Sequence, residues 1–258
     1  MNFVIALAFV FTLSGSVSAS QIAAASSSES QLEKVARGAD AYGDLIYEGT
    51  VFQLNGDHTQ PLYHYERRVR REGAEQFSTS FTHDAQKIAL VEVASHDANY
   101  NLHEYTEYQF QLGQVGKVTI KDNTAQFRVV RGSVEEEAHE TVSLPVVVGP
   151  TMYGFIYQNW ESLLSGKTVD FRFAVMSRLE TVGFQLKKVN SSDKNVRLQM
   201  KAKSPFIALL VNPIYFNFTS GKSLISLEGR VPTKLKVDNK WTDLDAFVEY
   251  KNITLDFK

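Results

Sequence analysis

The sequence predicts a mainly β protein: one large, curled antiparallel sheet, a half-barrel, with a single long helix packed on its concave face. Three observations carry this prediction. From residue 44 onward, hydrophobicity alternates with a period of two, through segments separated by turn-forming clusters such as Asn55-Gly-Asp-His58 and His96-Asp-Ala-Asn99. The connections are short and almost free of helical pattern, so chain neighbours should pair with one another in a meander. About a dozen strands are too many for a flat open sheet, so it should curl. One stretch departs from the alternation. Tyr153, Ile156, Tyr157, Trp160, Leu163 and Leu164 recur at helical spacing as a single apolar stripe.

The chain begins with an apolar run, 3–13, followed by the small residues of Val17-Ser-Ala19. It is too short to span a bilayer comfortably and reads as a signal peptide, 1–19, although the leading Met1-Asn2 carries no basic residue. Residues 20–43 read as an Ala/Ser-rich leader and one short helix, because Ser30-x-x-Glu33 is a capping box ahead of Leu32, Val35 and Ala36. Residues 44–258 read as one β domain. Its strands are predicted at 44–54, 60–71, 75–82, 87–95, 102–112, 118–121, 125–131 and 135–144. Asp122-Asn123 marks a tight hairpin between two of them.

The helix is predicted over 150–165. Pro150 suits the first turn, where its missing N–H has no intrahelical partner, and Gly166 suits a left-handed residue after the last turn. Strands follow at 168–175, 181–189, 195–203, 214–219, 224–231 and 246–257. The 195–203 strand alternates most cleanly, with Val196, Leu198, Met200 and Ala202 against Arg197, Gln199, Lys201 and Lys203. Residues 204–211 suit a short helix with Pro205 at its start. A phase shift after Tyr250 calls for a bulge near Lys251-Asn252.

Composition excludes several function classes. A net charge of -2 offers no global field for nucleic acid. The absence of cysteine excludes disulfides, thiolate metal sites, a cysteine nucleophile and a lipidated N-terminal cysteine. Gly166-Lys-Thr168 and Gly221-Lys-Ser223 lack the earlier glycine of a phosphate loop, since Glu161 and Phe216 stand there. No nucleophile elbow is present, and none of the six histidines has metal-ligand spacing, so neither metal nor cofactor is expected. A hydrolase would need a Ser or Asp within hydrogen-bond reach of a His in a cleft.

Glu66-Arg-Arg-Val-Arg-Arg-Glu72 is the densest charge cluster and reads as a solvated hairpin with edge-protecting charges, with Glu135-Glu-Glu137 as its acidic counterpart. Arg178 falls in a turn between two Phe-rich strands, where a guanidinium can orient a carboxylate or phosphate or pair with Glu180.

The segment from Leu144-Pro-Val-Val-Val-Gly149 through Trp160, continuing over Gly166-Lys-Thr-Val-Asp-Phe171 to Phe184, resembles uncharacterised secreted proteins of Gram-negative bacteria. So does the closing Leu227-Glu-Gly-Arg-Val-Pro232 with Val248-Glu-Tyr250. The strand order with its inserted helix is similar to the LolA/LolB-like superfamily of lipoprotein carriers. That similarity implies a curved half-barrel that binds acyl chains, and it matches no carrier residue onto this chain. The expected function is non-enzymatic and periplasmic: binding or carriage of a lipid or other apolar ligand. Its candidate contacts are Phe155, Trp160, Phe171, Phe173, Arg178 and Phe184. The alternative is a structural or assembly factor of the cell envelope that works through a protein partner.

Overall fold

A computed structural model describes residues 42–143, 145–192 and 194–252. The expected signal peptide and the short leading helix lie outside these residues. Within them, fifteen strands form one sheet, antiparallel at every pairing except one.

The N-terminal run comprises β1 (Asp44–Gln53), β2 (Tyr63–Glu72), β3 (Glu75–His83), β4 (Ile88–His96) and β5 (Leu102–Gln109). It continues through β6 (Gln114–Lys121), β7 (Thr124–Arg131) and β8 (Val134–Thr141). The C-terminal run comprises β9 (Val146–Val147), β10 (Val169–Val175), β11 (Glu180–Ser191) and β12 (Asn195–Ala202). It closes with β13 (Ile214–Thr219), β14 (Leu224–Val237) and β15 (Lys240–Asn252).

The hydrogen-bonded order runs from β8 down to β1, then from β15 down to β9. Every strand except β9 therefore neighbours its predecessor in the chain, and β15 joins β1. The two free edges, β8 and β9, are themselves consecutive, so the strands follow one another around a ring with a single open seam.

Side chains draw the seam together. Glu140 on β8 faces Arg172 on β10 at 3.2 Å and also accepts the backbone N–H of Thr181, while Arg172 donates to the Thr181 carbonyl at 2.6 Å. A second tie crosses the concavity. The Gln111 side chain, after β5, accepts from the Lys234 N–H at 2.7 Å and donates to the Lys234 carbonyl at 3.0 Å. Gln109 donates to the Pro232 carbonyl at 3.1 Å. The register of β14 on β15 slips between Val231 and Lys234, and this bulge accommodates a proline that has no N–H to give the ladder.

The predicted helix lies inside the curl, as two pieces. Helix α1 (Gly149–Gln158) and helix α2 (Trp160–Leu164) are divided at Asn159, whose side chain bonds back to the Phe155 carbonyl at 2.8 Å. Seven consecutive residues, from Pro150 to Ile156, are buried, so α1 is enclosed on all sides instead of burying one stripe. Gly166 takes a positive φ just beyond α2, as its position predicts. A third helix, α3 (Pro205–Leu210), links β12 to β13.

Two apolar clusters fill much of the curl. One joins α1 and α2 to β10–β13, with Trp160, Phe171, Leu186, Leu198 and Phe218 at its centre. The other joins β4–β7 to the β9 region and to Met176, in the 3₁₀ turn Met176–Arg178. Gly116 makes that second contact possible, since a Cβ there would lie 2.9 Å from Met176 Cε. β15 pairs with β1 without a slip as far as Asn252, so the bulge predicted near Lys251-Asn252 does not fall among the described residues.

Candidate functional site

Alternation along each strand fixes which side chains enter the concavity, and register fixes which of them meet. Glu107 stands opposite Glu92, Glu92 opposite Ser80, Ser80 opposite Arg67 and Arg67 opposite Tyr47. One straight row of polar groups therefore crosses β5, β4, β3, β2 and β1 on the inner face. On either side of Arg67, β2 sends Tyr65 and Val69 inward too.

Arg67 is only 1% exposed, which corrects the reading of its charge cluster as a solvated, edge-protecting hairpin. Strand β2 is central to the sheet, and Glu135 pairs with Arg128 instead of with this cluster.

Two hydrogen-bonded chains organise the row. Arg67 Nη2 donates to Ser78 Oγ at 2.7 Å, and Ser78 lies 2.8 Å from His96 Nε2. His96 Nδ1 lies 2.8 Å from the Asp97 carbonyl, which assigns the ring proton to Nδ1 and leaves Nε2 to accept from Ser78. Burial, with help from the Arg67 charge, lowers the His96 pKa to about 4, so the ring is neutral.

In the second chain Ser80 Oγ and the Tyr105 hydroxyl each donate to Glu92 at 2.8 Å. Tyr105 also lies 3.2 Å from Glu107. Burial, then the neighbouring Glu92 charge, raises Glu107 to about 7. Burial also raises Glu92, against its hydrogen bonds and Arg67. A protonated Glu107 can thus donate a hydrogen bond to the Tyr105 oxygen while Tyr105 donates to Glu92. A Cβ on Gly149 would lie 2.9 Å from Glu92 Oε1, so the first residue of α1 seats against this carboxylate. Its place at a helix N-terminus favours the ionised form.

The row borders open space. Tyr65 and Tyr250 project from the inner face and pack against each other and against Tyr47, with ring centroids 5.3–6.0 Å apart. Burial drives both of their pKa values far up. Yet both residues are only half-buried, and neither hydroxyl is among the fully buried atoms left without a partner. No hydrogen bond engages either hydroxyl among the described residues, so both keep contact with open space. Gly49 makes room for this arrangement, since a Cβ there would meet the Tyr250 ring at 3.0 Å.

Five of the six candidate residues come together elsewhere. Phe155, Trp160, Phe171 and Phe184 are buried in the cluster around α1 and α2, and Phe173 packs on its border. They contact one another and their neighbours: Phe155 and Phe171 lie 5.2 Å apart, Phe171 and Phe184 6.0 Å, Trp160 and Phe218 5.3 Å. Arg178 is not brought to them; it sits exposed in the 3₁₀ turn and pairs with Glu180.

The Ser78–His96 pair has the spacing a hydrolase needs but not the setting. Both residues are 0% exposed, the serine already accepts from Arg67, and the histidine is too weak a base near neutral pH. On the convex face His64 and His83 stand opposite each other in a shallow groove of about 540 Å³. Among the described residues no group of three or more His, Asp or Glu is placed to hold a metal ion.

Sequence reasoning missed Arg67, Glu92, His96 and Glu107. A signal for Arg67 was present, because Tyr63, Tyr65, Arg67 and Val69 share one face of β2 and three of the four are apolar or aromatic.

No family model matches the chain, and no curated protein matches it. Among solved structures, the chain is similar to a β-barrel-like protein of the domain of unknown function DUF1849 from Brucella abortus. The identity is 8%, the alignment covers 81% of this chain and 94% of that one, and the TM-score is 0.45. A tesB protein of Mycobacterium avium subspecies paratuberculosis aligns at 11% identity over 91% of this chain and 85% of its own, with a TM-score of 0.14. Neither likeness is close enough to transfer a property to this chain.

Proposed function

We propose that this chain is a non-enzymatic binding protein that holds an apolar or amphiphilic small molecule, such as a lipid, in the interior of its curled sheet. One observation carries the reading: Tyr65 and Tyr250 reach into the curl at its polar row, and their hydroxyls meet open space instead of protein. Large rings with unpaired polar ends suit a pocket that is apolar with a few placed polar groups. The aromatic residues around α2 support the pocket's wall in this reading and do not touch the ligand, because they are packed on one another. The apolar run 3–13 supports a site of action outside the cytoplasm, in the periplasm. The LolA/LolB-like resemblance belongs to the same proposal and favours an acyl chain.

Native mass spectrometry of protein taken from a periplasmic extract tests it. A bound small molecule is expected, together with saturable uptake of a fluorescent fatty acid. Protein that comes out empty and takes up no fatty acid would defeat the reading.

A second reading, an envelope assembly factor with a protein partner, has its own support. Phe206 and Leu209 on α3 are 81% and 86% exposed, and β8 leaves one side of its backbone unpaired. Crosslinking in cells from position 206 or 209 separates the two. A reproducible protein adduct, found with an empty interior, favours the second.

A further inference from the structure

We propose that Arg67 is the anion-recognition point of the interior and that the ligand held there carries a carboxylate; this rests on the interior-binding reading above. The guanidinium is 1% exposed, and its Nε and Nη1 atoms have no hydrogen-bond partner. Three of its five N–H bonds therefore lack a partner in hydrogen-bond geometry, the Tyr47 hydroxyl being close by, and no ion pair engages it among the described residues. A buried cation left in this state is strongly unfavourable unless something answers its charge. Among the described residues no carboxylate pairs with it directly. Glu92, the nearest acid along the row, is two strands away and already accepts from Ser80 and Tyr105.

Ser80, directly between Arg67 and Glu92, has one of the smallest side chains of the row. Two strand spacings, roughly 10 Å of sheet, thus separate the two long charged groups. A planar carboxylate fits beside a guanidinium through parallel N–H···O bonds. A phosphate with two charges suits the row less well, because Glu92 and Glu107 lie on the same side of it. The ligand's apolar body has a surface to lie on in the half-buried Tyr65 and Tyr250 rings.

The test compares tetradecanoate, its methyl ester and tetradecyl phosphate in competition with a fluorescent fatty acid on the purified full chain. The acid is expected to bind at least about tenfold tighter than the ester, as a charge-assisted hydrogen bond of about 1.5 kcal/mol or more requires. It is also expected to bind tighter than the phosphate. In Arg67→Met that preference should vanish, and in Arg67→Lys it should shrink, since a lysine gives a point charge and no fork.

Equal binding of acid and ester by the wild-type chain overturns the assignment of Arg67 and leaves the binding reading standing. Tighter binding of the phosphate overturns the choice of carboxylate. Binding of none of the three overturns the interior-binding reading and this inference with it. If Arg67→Met fails to fold, the wild-type comparison still decides.

Discussion

Glu107 and His96 titrate in opposite senses within one polar cluster. Glu107 is raised from the ordinary carboxylate value of 4.5 to about 7. Between those values the folded chain holds a proton that the unfolded chain has released, so this group's contribution to stability falls as pH rises. His96 is lowered from 6.5 to about 4. Across that window the unfolded chain holds the extra proton, so stability rises with pH. From about pH 4.5 to 6.5 the two slopes oppose each other. Replacing Glu107 with Gln removes only the first. The variant should gain stability over the wild type progressively from about pH 4.5 to 7 and hold that gain above it. Urea unfolding at several pH values reads this directly, and an offset independent of pH would refute it.

Gly154 gives a second residue-scale prediction. Alanine is favoured over glycine in a helix by about 1 kcal/mol, yet here a Cβ would lie 2.0 Å from the Tyr100 ring. Gly154→Ala should therefore lower the melting temperature, with a net cost of roughly 1–3 kcal/mol from overpacking. At this scale the sequence was least informative. An arginine among four charged neighbours reads as surface, and only the placement of β2 at the middle of the sheet turns alternate residues of that run inward.

At the scale of elements the reading was much closer. Val196, Leu198, Met200 and Ala202 are all buried, as their alternation requires. The Asp122-Asn123 hairpin forms with both residues at positive φ. The same dipeptide at Asp238-Asn239 adopts the same conformation and joins β14 to β15, yet it passed unread because the strand signal fades at Pro232. The bulge that carries Pro232 lets β14 continue to Val237. The break at Asn159 was illegible for a related reason. The apolar stripe runs through it unchanged, and the interruption lies in a side-chain bond to the Phe155 carbonyl. Trp160 opens α2 and is 2% exposed. Trp160→Ala should cost roughly 3–5 kcal/mol, seen as a large fall in melting temperature. A fall of under about 1 kcal/mol would mean that the site collapses freely around the loss.

For the whole molecule, curl and meander were legible because short connections force neighbours to pair. The seam was not, since nothing in the local pattern says where a ring of strands stops bonding. Glu140 spans that gap to Arg172 and to the Thr181 N–H. Glu140→Ala should speed amide hydrogen exchange at Thr181 and along β8 and leave β2–β3 exchange unchanged. Uniform acceleration would show that the seam is no weaker than the rest.

The pairing of β15 with β1 has a consequence for biogenesis. It brings together segments about two hundred positions apart, and β1 is among the first of the described strands to be made. Until the last hairpin emerges from the ribosome, β1 has one partner and a bare flank, with its inward Tyr47 uncovered. A chain truncated before Lys240 would keep that flank permanently, offering both β1 and β14 as templates for strand addition. Such a fragment should aggregate where the intact chain stays dispersed.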